Sequence, residues 1–459
     1  MQQSTTSASA VSRPLSPRCR GRRHRFRLTV QVAEDGLRRK NIALWCAVVV
    51  LGACGEFRNA VEGDSTAPEA GSWLIDAEPS LVIGHEGDPD YEFTSIVGLG
   101  GLSSGGWFAF DRGANELRFF DEQGRLSRKV GGPGSGPGEF RDVYVVIPMS
   151  GDSILIYDQR LQRLTMVQPG RDKVRAWSAP VPPNGGFIQP AGLLNTNELL
   201  WSELRLAPCR PNAIAWDSVA YYRVRINALQ TDATLGERTG RTNTLLPLGR
   251  WPNRQRWGDV SSGRCFPLVV PFAPVHLTYV HQGRLYVSAG DRLEVRVIDL
   301  EAGREVLVAR VAGDRRRALS RQRIAEYIQS AVGAAGLDEV GRPITGGGGV
   351  GAYQRALENL PYPDSLPVTG QLLVDARGYI WVREYAPPDS GQAVWWIFSR
   401  EGDLTERFTF PEQIDGDRFR VVQIGEDYIA GVHRDAFNVE SIRVYALHRG
   451  RSATGSMDR

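Results

Sequence analysis

Five acidic side chains recur where strongly apolar runs end: Asp111, Asp158, Glu203, Glu384 and Asp435. Arg112, Arg160, Arg205, Arg383 and Arg434 lie close by, and His433 stands two residues before the last carboxylate. Carboxylates with an imidazole among them are ligands for calcium or zinc, so a set converging on one place could hold a metal ion. The same positions are those of a residue that caps one turn in every unit of a repeat. There the carboxylate accepts backbone N–H groups and pairs with an arginine. A catalytic set breaks a repeat rather than following it, so the capping role is the expectation and these residues stand only as candidates for the face of a channel. The other histidines, His85, His276 and His281, come from separate runs, and zinc needs about three ligands converging. The oxygen-rich stretch 85–90 (HEGDPD) lacks the spacing of a twelve-residue calcium loop and reads as a solvated turn. The glycine-rich stretch 131–138 has Pro137 and Glu139 where a phosphate-binding loop needs Lys and Ser or Thr. No catalytic residue, metal ligand or cofactor is assigned from these patterns.

Cys209 and Cys265 lie 56 positions apart in a long, proline-rich excursion. In an oxidising compartment a bridge between them would contribute about 4 kcal/mol on the chain-entropy account. The alternative is a pair of buried free thiols.

The compartment is written near the start of the chain. Residues 1–53 hold ten basic and two acidic side chains, although the 459-residue chain as a whole carries a formal charge of only +3. Beyond residue 53 the chain is therefore mildly acidic and offers no basic face for nucleic acid. Arg38-Arg39-Lys40 precedes a twelve-residue apolar run, 42–53 (IALWCAVVVLGA), which ends at Cys54. As a helix that run would span about 18 Å, short of the ~30 Å of a bilayer core, and its basic flank marks a secretory signal. The four residues Leu51-Gly52-Ala53-Cys54 resemble the lipobox of bacterial lipoproteins. The resemblance implies that Cys54 is acylated and becomes the mature N-terminus, anchored in a membrane by its acyl chains. Residues 1–37 read as a disordered extension or an early-called start, 38–53 as the signal, 54–72 as a flexible tether, and 451–459 as a disordered tail.

From Trp73 to about residue 450 the chain is a series of short β-runs broken by Gly, Pro, Asp and Asn. Six strongly apolar runs stand out: 107–111, 154–158, 199–203, 285–289, 379–383 and 428–432. Each has an apolar run ahead of it and another behind, often closed by a Gly-containing turn, and five of the six have a fourth run after that turn. The sixth unit ends with the chain. The unassigned run 73–83 (WLIDAEPSLVI) can supply its missing strand, closing a ring and removing the exposed sheet edges. The expectation is an all-β fold: a six-bladed β-propeller whose N-terminal strand closes the last blade.

The stretch GGPGSGPGEF at 131–140, following the run 126–130, resembles the inter-blade signature of NHL-repeat and related six-bladed bacterial propellers. Residues 116–124 (ELRFFDEQG) and 373–382, with Leu372 ahead of them (LLVDARGYIWV), are similar to that family as well. The resemblance implies architecture from Trp73 onward and says little of activity, since such propellers host lyases, lactonases, receptors and scaffolds.

One insertion breaks the repeat, at about 314–363, between the fourth and fifth blades. Leu319, Ile324, Ile328 and Val332 are at helical spacing over 314–335, and a second short helix over 353–360 stops at Pro361 and Pro363. A non-repeated element on a repeated scaffold is where specificity is built. The expected function is a non-catalytic binding or scaffold module, a monomer at the bacterial cell envelope that takes a protein, peptide or glycan. Its place is the outer membrane or the periplasmic face, through lipidated Cys54. The competing expectation is a metal-dependent enzyme of lactonase or lyase type.

Overall fold

The computed structural model describes residues 73–450 apart from 169, 171–173, 181–186, 230–245, 261–263, 335–349, 388–393, 412–413 and 415–417. Cys54 and the segments on either side of it therefore lie outside the described residues.

Six antiparallel sheets form the blades of a β-propeller. Four strands, a to d in order, make blade I (Ile96–Gly101, Trp107–Asp111, Glu116–Phe120, Leu126–Gly131) and blade II (Val143–Pro148, Ile154–Asp158, Arg163–Val167, Arg175–Ser178). Blade IV (Leu277–His281, Arg284–Ser288, Glu294–Asp299, Arg304–Arg310) and blade V (Thr369–Val374, Ile380–Glu384, Val394–Phe398, Leu404–Thr409) keep the same order. Strands a of neighbouring blades touch one another around the full circle, so strand a is the innermost in each blade.

The sequence of each strand reflects its depth. Strands b of blades I and II (WFAFD and ILIYD) are buried at all five positions, because both faces pack on other apolar side chains. The outer strand of blade I (LSRKVG) instead alternates half-buried and exposed. Convergence of the ring also forces small residues against larger ones. A Cβ on Gly98 of blade I would lie 2.4 Å from Val146 of blade II, and one on Gly192 of blade III 2.6 Å from Val280 of blade IV. Side chains satisfy the inner strand edges from the next blade: Gly101 N–H donates to Gln423 Oε1 (2.8 Å), and Gln371 Nε2 donates to Val421 O (2.9 Å).

Blade VI (Phe419–Ile424, Tyr428–Arg434, Glu440–His448) is completed by the N-terminal residues, as the repeat count required. They do so as two short strands rather than one. Leu74–Ile75 and Leu81–Ile83 both pair with Glu440–His448, with Leu74 opposite His448 and Leu81 opposite Val444. Pro79 has no N–H to give the ladder, and the chain turns at that point before rejoining it.

Blade III departs from the repeat. Its strands are Phe187–Asn195, Glu198–Arg205, Ile214–Arg225, Leu246–Asp259 and Phe266–Val269, so the proline-rich excursion supplies a fifth strand. The Cys209–Cys265 disulfide is formed and closes that excursion, with the two Cα atoms 5.9 Å apart.

Among the described residues, the insertion between blades IV and V contains two helices, α1 (Arg321–Ala334) and α2 (Val350–Glu358), packed on each other. Helix α1 begins about seven residues later than its apolar spacing predicts, because Ser320 Oγ caps it by accepting Arg323 N–H at 3.1 Å. The residues ahead of the cap are extended. Ala318 bridges Ser365, with Leu319 N–H donating to Asp364 O and Leu366 N–H to Arg317 O, so the two ends of the insertion are zipped together.

Candidate functional site

Because strands alternate in direction, every b–c turn and every link from d to the next a lies on one face of the ring. The insertion is such a link, and it stands on that face. The five candidate carboxylates and His433 sit at or beside the b–c turns of blades I, II, III, V and VI, so all are on this same face, each carboxylate on its own blade.

Each carboxylate is engaged locally. Asp111 accepts the N–H groups of Ser95 (3.0 Å), Gly113 (3.1 Å) and Thr94 (3.3 Å), with the Arg118 guanidinium 3.7 Å away. Asp158 accepts those of Arg141 (2.6 Å), Leu161 (2.8 Å) and Asp142 (3.3 Å). Both therefore tie the incoming d–a link to the turn. Glu203 accepts from Tyr222 Oη (2.6 Å) and from Arg205 (2.7 Å). Asp435 closes its own turn by accepting Phe437 and Val439 N–H. Glu384 accepts Trp396 Nε1–H at 2.8 Å and lies 3.9 Å from Arg315.

The neighbouring arginines do not all obey the expected pairing. Arg112 reaches Asp142 of the next link, and Arg434 reaches Glu440. Burial, helped by Arg443 and Arg418, pushes the His433 imidazole below its ordinary range, and burial does the same at His276 and His281. Among the described residues, no group of three or more His, Cys, Asp or Glu side chains is placed to share a metal ion. In the 85–90 turn the oxygens serve the protein itself: Asp88 accepts Asp90 N–H, and Asp90 accepts Lys129 Nζ.

A different constellation gathers at the root of the insertion, and the spacing of single motifs did not point to it. The Arg315 guanidinium lies 4.2 Å above the Trp396 ring, and Arg407 lies 5.3 Å from the same ring. Arg317 donates to Tyr385 O. Under the insertion's own aromatics, Phe272, at positive φ in the link leading to blade IV, packs edge-on to Tyr327 of α1 (5.4 Å) and tilted to Tyr362 (6.4 Å). A bulky residue in that backbone region is uncommon and is held there by its surroundings. Burial raises the Tyr327, Tyr362 and Tyr385 phenols above their ordinary range, and Tyr362 Oη donates to Leu357 O.

Helix α1 buries no residue completely. Ile324, Tyr327, Ile328, Ala331 and Val332 form a half-buried stripe, and Arg321, Gln322, Glu326 and Gln329 are exposed. Cations stacked on aromatic rings beside a loosely seated helix can hold a planar or anionic group, or the face of a sugar ring. The one pointer to this place in the sequence is that the insertion breaks the repeat. Arg315 and Trp396 come from separate segments, as do Phe272 and Tyr327, and only the fold brings the members of each pair together.

The sequence matches no protein-family model and no curated protein. Among solved structures, the chain is similar to a duf4221 family member from Bacteroides vulgatus (11% identity, TM-score 0.47, 83% of this chain and 100% of that one). It is also similar to a Bacteroides fragilis protein described as exported (10%, TM-score 0.44, 84% and 98%). A third similar structure is virginiamycin B lyase from Staphylococcus aureus (10%, TM-score 0.37, 82% and 99%). Likeness at that level concerns the fold, and the site is read from this chain's own residues.

Proposed function

We propose that the protein is an exported propeller, held at the bacterial cell envelope by a lipidated Cys54, and that it is a non-catalytic binding or scaffold module. Its ligand is a protein, peptide or glycan taken on the face that carries the insertion. The observation that carries this reading is the Arg315 guanidinium over the Trp396 ring, with Glu384 bonded to that indole, at the root of the non-repeated insertion. The recurrent carboxylates of the same face support it too, since backbone amides, a tryptophan, a tyrosine and arginines occupy them. Export is supported by the signal-like segment ending at Cys54 and by the Cys209–Cys265 bridge, which persists in an oxidising compartment.

The purified full chain, screened against envelope glycans and peptides, is expected to bind saturably, and Arg315→Ala is expected to lose that binding. Stoichiometric Ca²⁺ or Zn²⁺ with EDTA-sensitive hydrolase or lyase turnover would overturn the reading. Palmitate labelling that disappears in Cys54→Ser tests the anchor separately.

A further inference from the structure

The innermost strands of the ring avoid formal charge except at one place. Among IVGLGG, VYVVIP, FIQPAGLLN, LTYVH, TGQLLV and FRVVQI, Arg420 is the one Asp, Glu, Lys or Arg. It stands second in strand a of blade VI, at the end of that strand nearest the insertion face. A charge that departs from the repeat needs a reason the repeat does not supply.

The register fixes where Arg420 points. It is opposite Val432, which is opposite Ile442, and both of these pack with Phe93 and Ile96 of the adjoining blade I side. Arg420 reaches the same way, and its Nη2 donates to Ile96 O at 2.9 Å. The Arg434–Glu440 pair lies two residues along on that side. Glu440 is fully engaged, with one oxygen taken by Arg434 and the other by Ile96 N–H.

The Ile96 carbonyl does not itself require a charged donor. Val421 O, on strand a of blade VI, is met by the neutral Gln371 of blade V. Arg420 is exposed, its bond to Ile96 O uses only part of its fork of donors, and it forms no ion pair among the described residues. Burial, with the charge of Arg434 beside it, holds the guanidinium below its ordinary range although Glu440 acts the other way. A cation reachable by water yet set among protein atoms gains most from an anion that joins it there.

The surroundings choose the anion. The amides close to Ile96 are already spent, those of Thr94 and Ser95 on Asp111 and that of Ile96 on Glu440. A phosphate needs further donors, and its second charge meets the carboxylates holding those amides. A carboxylate is singly charged and planar, and one guanidinium fork satisfies it.

We infer that Arg420 forms an anion site at the rim of the ring's centre, which takes the carboxylate of a ligand entering from the insertion face. The place is separate from the Arg315–Trp396 pair, which lies between blades IV and V, so the inference does not rest on that reading.

The arginine Nε–Hε NMR spectrum of the isotope-labelled full chain, titrated with acetate against chloride at constant ionic strength, tests it. One resonance is expected to shift saturably with acetate and not with chloride. Arg420→Gln keeps a donor for Ile96 O and is expected to abolish that shift, whereas Arg315→Ala leaves it in place. The same comparison is read in thermal melts, each variant against itself in chloride. The rise in melting temperature that acetate gives over chloride is expected in the natural chain, reduced in Arg420→Lys and absent in Arg420→Gln. N-acetylglycine and glucuronate, compared with acetate, tell a peptide terminus from a sugar acid as the source, and at least one is expected to bind as tightly as acetate. A shift that chloride matches, one that phosphate produces more strongly, or one that survives Arg420→Gln overturns the inference. So does a chain that takes acetate but neither larger carboxylate.

Discussion

A buried carboxylate that accepts two or three backbone N–H groups behaves as part of the main-chain hydrogen-bond network. Asp158 is the clearest case: it is fully buried, and its three donors come from the link entering blade II and from the b–c turn. Its removal leaves those amides without acceptors in a place water does not reach. Asp158→Ala is therefore expected to cost about 2–4 kcal/mol, read as a lower urea midpoint with an unchanged m-value, while ligand binding on the folded fraction persists. The capping role was legible from the recurrence of acidic residues at the ends of apolar runs. The partners were not, because Arg118 rather than Arg112 faces Asp111, and only strand register decides which arginine arrives. Arg315 carried no signal at all in the sequence, since its meaning comes from the Trp396 ring 4.2 Å below it.

Among the elements, those that repeat were readable and those that do not repeat were only partly so. Strands b, buried on both faces, appear in the sequence as unbroken apolar runs, and the predicted 107–111 and 154–158 coincide with the observed strands. In blade III the excursion announced itself by prolines and two cysteines, yet its fifth strand depends on pairing with residues 256–259 and has no local apolar period. The disulfide stabilises that element chiefly by closing a 56-residue loop, an effect of about 4 kcal/mol in the chain-entropy account. Reduction, or Cys209→Ser/Cys265→Ser, is expected to lower stability by about 2–4 kcal/mol in urea titrations. The accompanying rise in amide exchange should appear first in the strands Leu246–Asp259 and Phe266–Val269 of blade III, and blades I and V should keep their protection.

At the scale of the whole molecule, the fold depends on a seam. Residues from both ends of the propeller meet beside blade V. Arg449 donates to Asp375 (2.7 Å) and to the carbonyls of Gly425 and Glu426, and its guanidinium lies 4.5 Å over Trp73 and 5.5 Å over Tyr379. Asp375 is itself fully buried and also accepts Trp381 Nε1–H. Removing one member of such a pair leaves a charge buried without its partner, so Arg449→Ala is expected to cost about 3–5 kcal/mol. A thermal melt that broadens as well as shifts would mark opening of the ring at blade VI. By itself the sequence determined the number of blades, the order of their strands, the closure of the last blade by the first residues and the place where the repeat is interrupted. Those are consequences of local apolar periodicity and of turn chemistry, which depend on neighbours along the chain. Only the tertiary structure decided which donors each recurrent carboxylate meets, that an arginine stacks on a distant indole, and that apolar side chains of blade III stand exposed. Each of those rests on residues far apart along the chain, brought together by strand register and by the convergence of strands around the ring.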